Sequence, residues 1–315
     1  METVARTLYL VDVFTGTIGA GNRAGVVLDA DGLDTAAMQR IAASVDAGET
    51  AFGLRSSDPA DHDLEVRYFS RTRELPLCGH ATIAFHHVRA LEHGLPTGTL
   101  RVKTGAGVLP IDIVRNGDGC RVVMTQREPR VLHTLSPSER SQVQAALGLA
   151  EADAMMQWPA QVVCTGHAKV MVPVRRWAAL DALSPDRARL IELSGRLGAT
   201  GYFAFTLDVQ RDDVLYHARM FGPASGVDED PVTGNANGPA GFYLLSRGCL
   251  AIPSDGVHRY RAVQGETMGR PGLIDVYLSR GADARVRVQV TGDAVIAQRR
   301  AIGECVPDRR EQGNG

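Results

Sequence analysis

A chain of 315 residues is about twice a common domain length, so two domains or one unusually large one are expected, either with room for a sizeable core. With 34 basic against 36 acidic side chains and a net charge of -2, it lacks the electrostatic footprint of a nucleic-acid or membrane-surface binder, and a small-molecule ligand becomes the default partner. Five cysteines, Cys78, Cys120, Cys164, Cys249 and Cys305, are odd in number, scattered, and free of CxxC or Cys/His metal spacing. They read as reduced thiols of a cytoplasmic protein. The opening METVARTLYLVDVF has no signal-peptide pattern and no run of about 18 apolar residues follows, so neither export nor membrane insertion is expected.

Period-2 runs rich in Val, Ile, Phe and Tyr at 7–14, 24–29, 64–70, 99–114 and 120–125 predict half-buried strands in the first third. A helix is predicted over 34–46, with Asp34 as N-cap and Met38, Ile41 and Ala42 inward; another, over 79–93, starts at a glycine turn. Each is expected to have one apolar face. After about residue 120 the vocabulary restarts, with strands near 161–164, 169–174, 201–207, 214–222, 259–264 and 272–279, and helices near 136–148, 185–198 and 235–247. Two stretches are alike. Arg67-Tyr68-Phe69 leads through a polar loop to Gly79-His80-Ala81 and a helix; Arg219-Met220-Phe221 leads likewise to Gly234-Asn235-Ala236 and a helix. From aromatic to glycine the spacing is ten residues in one and thirteen in the other. Such a repeat predicts two related α+β halves with a ligand cleft between the paired helix starts. The halves are placed at 1–120 and 121–300, followed by a polar tail at 301–315.

Helix N-termini leave amide N–H groups unpaired and carry a positive dipole end, so two glycine turns opening two helices suit a carboxylate. Four polar residues in these loops carry candidate chemistry, each with a plainer alternative. Glu49 sits at a helix-to-strand junction, where partial desolvation would raise its pKa and let it take and return a proton; a solvated or capping carboxylate would look the same. His80 would equally cap its own helix, and Asp230, before Pro231 and four residues ahead of Gly234, equally suits a turn. Asn235 follows the second glycine. Cys78 raises the two-thiol chemistry of cofactor-free racemases, but the matching loop offers Asp230, Thr233 and Asn235 and no second cysteine. His86, His87 and His93 have no partner at metal-ligand spacing and read as partly exposed helix residues, so no metal is expected. GxGxxG, GxxxxGK[ST] and GxSxG are absent, which leaves nucleotide cofactors and serine-hydrolase chemistry without a signature.

The blocks YLVDVFT at 9–15, GNRAGVV at 21–27, GETAF at 48–52, LCGHATIA at 77–84 and EDPVTGNANGP at 229–239 resemble the PhzF family of phenazine-biosynthesis-like isomerases, which share the diaminopimelate epimerase fold. The resemblance implies two domains of similar topology, each a mixed sheet wrapped around a central helix, with the active site in the cleft between them. It also implies an isomerase needing no cofactor, in which the family's catalytic glutamate falls on Glu49, its Gly-His pair on Gly79 and His80, its aspartate on Asp230 and its Thr-Gly turn on Thr233 and Gly234. The partner would be a small carboxylate-bearing metabolite, and a homodimer is compatible with the family. Two departures stand out. Gly48 and Asn235 replace the serines common before the glutamate and after the Thr-Gly turn, and Ser70-Arg71-Thr72-Arg73 replaces a Thr-Pro, which points to a different or more acidic substrate. The alternatives are an epimerase or racemase with Glu49 opposed by Asp230 or Cys78, and a ligand-binding protein without turnover.

Overall fold

The computed structural model describes residues 3–117, 119–254 and 256–305. The described residues form two compact units: one from 3–19, 23–123 and 293–305, the other from 20–22 and 124–292.

In the first unit, β1 (Thr3–Val13), β2 (Asn22–Val27), α1 (Thr35–Ser44), β3 (Glu49–Arg55), β4 (Leu64–Ser70), the short β5 (Glu74–Leu75), α2 (Gly79–Glu92), β6 (Gly98–Thr104) and β7 (Gly107–Asn116) follow in order. The strand predicted at 99–114 is therefore a hairpin, folded at Gly105-Ala106. β2 runs parallel to β3, β3 antiparallel to β4, β4 parallel to β6, and β6 antiparallel to β7. In the second unit, after β8 (Gly119–Thr125), β9 (Arg130–Thr134), α3 (Pro137–Leu147) and β10 (Gln161–Cys164), the sequence runs β11 (Ala168–Pro173), α4 (Trp177–Asp181), α5 (Arg187–Leu197), β12 (Tyr202–Thr206), β13 (His217–Gly222), β14 (Val227–Asp230), α6 (Gly234–Ser246), β15 (Val257–Gln264), β16 (Gly272–Arg280) and β17 (Val286–Thr291). Its frame repeats the first: β11 parallel to β12, β12 antiparallel to β13, β13 parallel to β15, β15 antiparallel to β16.

The repeat read from Arg67-Tyr68-Phe69 and Arg219-Met220-Phe221 is thus structural. Arg67 stacks over Phe69 at 5.2 Å and pairs with Glu74 on β5; Arg219 stacks over Phe221 at 4.9 Å and pairs with Glu229 on β14. The last strand, β18 (Ala294–Cys305), runs antiparallel to β1 through the whole of its length and belongs to the first unit. Of the polar stretch 301–315, residues 301–305 are in β18 and the rest lie outside the described residues.

Local chemistry explains the helices. Asp34 accepts from Ala37 N, Ser136 forms a reciprocal capping box with Glu139, and Asp186 accepts from Arg189 N. α1 buries Ala37, Met38, Ile41 and Ala42 on one stripe, against a cluster that includes Leu8, Phe52 and Phe69. α2 departs from that pattern. His80 to Val88 and Ala90 are all buried, because the helix is the axis around which the unit's sheet wraps; β1, β3 and β18 all pack on it. His86 and His87, expected at a partly exposed face, are therefore interior, and only His93 is exposed. β3 comes so near this helix that a Cβ on Gly53 would lie 2.5 Å from the Phe85 ring. α6 is buried in the same way by β10, β11, β16 and β17. No helix among the described residues is long and apolar enough to cross a membrane.

Candidate active site

Glu49 is the first residue of β3, between Ala24 on β2 and Ser70 on β4. Its side chain is 17% exposed, and its Oε2 lies 3.3 Å from Nε2 of His80, the second residue of α2. The contact is within ion-pair reach but misaligned for a hydrogen bond. On the other side of the ring, Nδ1 is 3.6 Å from Sγ of Cys78, the N-cap. The imidazole therefore bridges a carboxylate and a thiol, one nitrogen to each. The three ligand atoms fall within 4.8 Å of one another, and no other such group of His, Cys, Asp or Glu side chains occurs among the described residues. A metal needs donors that converge on one point. Here the ring nitrogens face different partners, an arrangement better suited to orienting Glu49 and passing protons. A Cβ on Gly79 or on Gly48 would meet nothing within 4 Å, so the backbone on both sides of this cluster is approachable.

The second turn is built differently. Asp230, at the end of β14, accepts hydrogen bonds from Asn22 Nδ2 (2.7 Å) and from the Thr233 hydroxyl, a very short contact. Gln264 on β15 ties the turn from below: its Nε2 donates to Asp230 O (2.7 Å), and its Oε1 accepts from Thr233 N (3.2 Å) and Asn237 Nδ2 (3.0 Å). Tyr216 donates to Asn237 Oδ1 (2.7 Å), and Gln126 to Gly234 O (2.8 Å). Asn235 points an amide oxygen into a buried position with no hydrogen-bond partner.

Both helix starts share one feature. Unlike Asp34, Ser136 and Asp186, neither Cys78 nor Thr233 caps its helix with its side chain, which leaves first-turn N–H groups to other acceptors. Each cap carbonyl is instead held from within the helix, by Thr82 Oγ1 on Cys78 O (2.7 Å) and Asn237 Nδ2 on Thr233 O (3.0 Å). The register fixes what corresponds to Glu49. Thr50 pairs with Phe69 and Tyr202 with Phe221, so Glu49 in the first unit matches Gly201 in the second, and Cys78 matches Thr233. Neither the carboxylate nor the thiol is duplicated.

Within the first unit the structure brings Glu49, Gly79 and His80 together, and adds Cys78, which the sequence pointed to only as a racemase thiol. Within the second it gathers Asp230, Thr233, Gly234 and Asn235, and adds Asn22, Gln126, Asn237 and Gln264. Asn22 stands in the GNRAGVV block and Asn237 in the VTGNANGP run; Gln126 and Gln264 have no local signal, since only the strand pairing brings them near.

The profile of the family described as phenazine biosynthesis-like protein matches residues 11–300. The chain belongs to the PhzF family. An uncharacterised isomerase of Clostridium acetobutylicum is 40% identical over 289 residues, covering 92% of this chain and 95% of the relative. The trans-2,3-dihydro-3-hydroxyanthranilate isomerase of Pseudomonas chlororaphis is 30% identical over 297 residues, covering 93% and 98%. Among solved structures, a Bacillus anthracis protein of the PhzF family superposes with a TM-score of 0.84 at 29% identity, covering 95% of this chain and 99% of that one. This PhzF-family member has two sheet-and-helix domains of matching architecture and is an isomerase. Its partly buried Glu49–His80–Cys78 cluster suits acid/base chemistry that shifts a proton.

Proposed function

We propose that Glu49 is the base and acid of this isomerase, acting on a small metabolite that carries a carboxylate next to a conjugated system. The observation that carries this reading is the Glu49–His80 contact at the open start of α2. The Glu49 carboxylate removes a proton from carbon, the C–H electron pair moves into the conjugated system, and the resulting carboxylic acid returns the proton to a different carbon. Atoms and charge balance without a further reactant. His80 orients the carboxylate, and the first-turn amides of α2 face the substrate's negative charge. Asp230, Thr233, Gly234 and Asn235 take the polar substituents; the unpartnered Asn235 oxygen favours a substrate with an N–H or O–H donor. The P. chlororaphis relative acts, by its name, on a ring with a carboxylate, an amine and a hydroxyl, and that chemistry fits these groups. The absence of a second carboxylate at Gly201 and of a second thiol at Thr233 weighs against two-base epimerisation.

The test is deuterium uptake from deuterium oxide, followed by NMR, over a panel of cyclic dienoic and amino-acid carboxylates that includes dihydro-3-hydroxyanthranilate. Uptake by the wild type that falls by about a hundred- to ten-thousand-fold in Glu49→Gln is expected. Uptake in the variant close to wild type removes the assignment.

A further inference from the structure

The second unit holds a pocket of about 500 Å³, a size that suits a small molecule, apart from the turn at Asp230. It lies along a free edge of β15. That strand pairs with β16 over its whole length but with β13 only at Val263 and Gln264, so one side of its first half has no partner strand among the described residues. The segment 212–215 runs past that side and is pinned there by Leu215 N, which donates to Arg261 O at 2.7 Å. Val214, Leu250 and Tyr260, all largely buried, supply the apolar part of the lining. Arg259 precedes Gln264 by five residues, about 17 Å at the rise of a strand, so the pocket is distinct from the turn that Gln264 ties.

The polar groups of the pocket are held in place in advance. Asp275, on β16, is 2% exposed and receives two arginines: Arg261, its register partner, donates from Nε (3.0 Å) and Nη2 (3.3 Å), and Arg259 from Nη2 (3.1 Å). Arg261 alone would balance the buried carboxylate. Arg259 is a second cation beyond that need. Its side chain is 51% exposed, its guanidinium lies over the Tyr277 ring at 5.6 Å, and its other N–H groups meet no acceptor among the described residues. Two guanidinium groups against one carboxylate leave one positive charge in excess, on a planar group whose orientation Asp275 and Tyr277 fix. On the segment 212–215, Asp213 is matched by two hydrogen bonds from Arg211 (2.8 and 2.7 Å), whereas Asp212 is exposed and has no partner among the described residues. The lining thus offers one unmatched cation, one unmatched anion and an apolar wall.

The geometry points to a binding site for a free α-amino acid with an apolar side chain. Its carboxylate accepts from Arg259, its ammonium donates to Asp212, and its side chain covers Val214, Leu250 and Tyr260. A simple carboxylate or phosphate would meet Asp212 as a like charge, and a simple amine would meet Arg259 in the same way; a zwitterion satisfies both. The site uses no residue of the Glu49 cluster and does not rest on the reaction proposed above.

The experiment is a methyl NMR titration of the full-length protein, 13C-labelled at Leu and Val, with L-leucine and with L-phenylalanine. The Leu250 and Val214 signals are assigned by their loss in Leu250→Met and Val214→Ile. Saturable shifts of both signals are expected, with affinity at least about tenfold weaker in Arg259→Met and in Asp212→Asn, each of which removes a charge-assisted hydrogen bond. On the wild type, 3-phenylpropionate and phenethylamine, which keep one charge each, should bind at least about tenfold more weakly than phenylalanine. No saturable shift with either amino acid, or shifts that survive both substitutions, overturns the site. A 3-phenylpropionate that binds as tightly as phenylalanine overturns the amino-acid assignment. Should Arg259→Met not fold, Asp212→Asn and the two analogues decide. Glu49→Gln should bind as the wild type does, so failure of the deuterium-uptake test and failure of this one are separate results.

Discussion

Arg219 and Glu229 grip each other through two parallel hydrogen bonds of 2.8 Å, and the remaining guanidinium nitrogen donates to the carbonyls of Leu180, Asp181 and Leu183. Its counterpart Arg67 donates the same pair of hydrogen bonds to Glu74, but with a side chain 28% exposed rather than 8%. The two ion pairs are equal in geometry and unequal in desolvation. Arg219→Met should therefore cost about 3–5 kcal/mol, since it strands a partly buried carboxylate and three carbonyls, whereas Arg67→Met should cost about 1 kcal/mol or less. Urea denaturation of the two variants measures the difference, and equal losses would show that burial is not what separates them.

His80 touches Glu49 directly, and the Cys78 thiol lies against the other nitrogen of the same ring. Replacing His80 by Gln should lower kcat/KM for deuterium exchange by about a hundredfold, while Cys78→Ser should lower it by less than about tenfold, because a thiol 3.6 Å from nitrogen is a weak partner. A Cys78→Ser enzyme as dead as Glu49→Gln would mean that the thiol itself transfers protons.

His86 is fully buried, and neither ring nitrogen has a hydrogen-bond partner. Burial first, then the nearby Arg89 charge, pushes its imidazole down to about 3. Between pH 6.5 and about 3 the unfolded chain holds a proton here that the folded chain refuses, so stability is lost as the pH falls through that window. His86→Leu should stabilise by about 1–2 kcal/mol at pH 7, and the gain should grow by about 2 kcal/mol at pH 5. Thermal melts at the two pH values check both the sign and the growth.

Gly238 is the point where α6 admits the Gln126 side chain: a Cβ there would sit 2.0 Å from Oε1. That oxygen accepts from Thr165 at 2.6 Å while Nε2 holds Gly234 O, so Gln126 can yield only by giving up both bonds. Gly238→Ala should cost about 1–3 kcal/mol and weaken ligand binding at the α6 start, whereas Gly195→Ala, at an open helical position, should be neutral or slightly stabilising. Calorimetry on the pair separates a steric effect from a helix-propensity effect.

The sequence exposed much of this architecture because its markers are local. Asp34, Gly79 and Gly234 announce helix starts within a residue, and the Arg-x-Phe stretches lead into both glycine turns. What stayed hidden depends on pairing between distant segments. Nothing near residue 300 says that Ala294–Cys305 lies along Thr3–Val13, and nothing near Gln264 says that it ties the Asp230–Thr233 turn. β5, β14 and α4 are too short to show a period. His86 and His87 are interior although their spacing suggests a partly exposed face, because a helix enclosed by its own sheet has no wet side.

The mismatch between Glu49 and Gly201 has a stereochemical consequence. On the proposed chemistry, in which Glu49 alone moves the proton, removal and return take place from a single side of the substrate plane. The migration is then suprafacial, and a label placed at the donor carbon can travel with the carboxyl group to the acceptor carbon rather than wash out. Conversion of a deuterated substrate in ordinary water, stopped early, should yield product that keeps part of its deuterium at the new position.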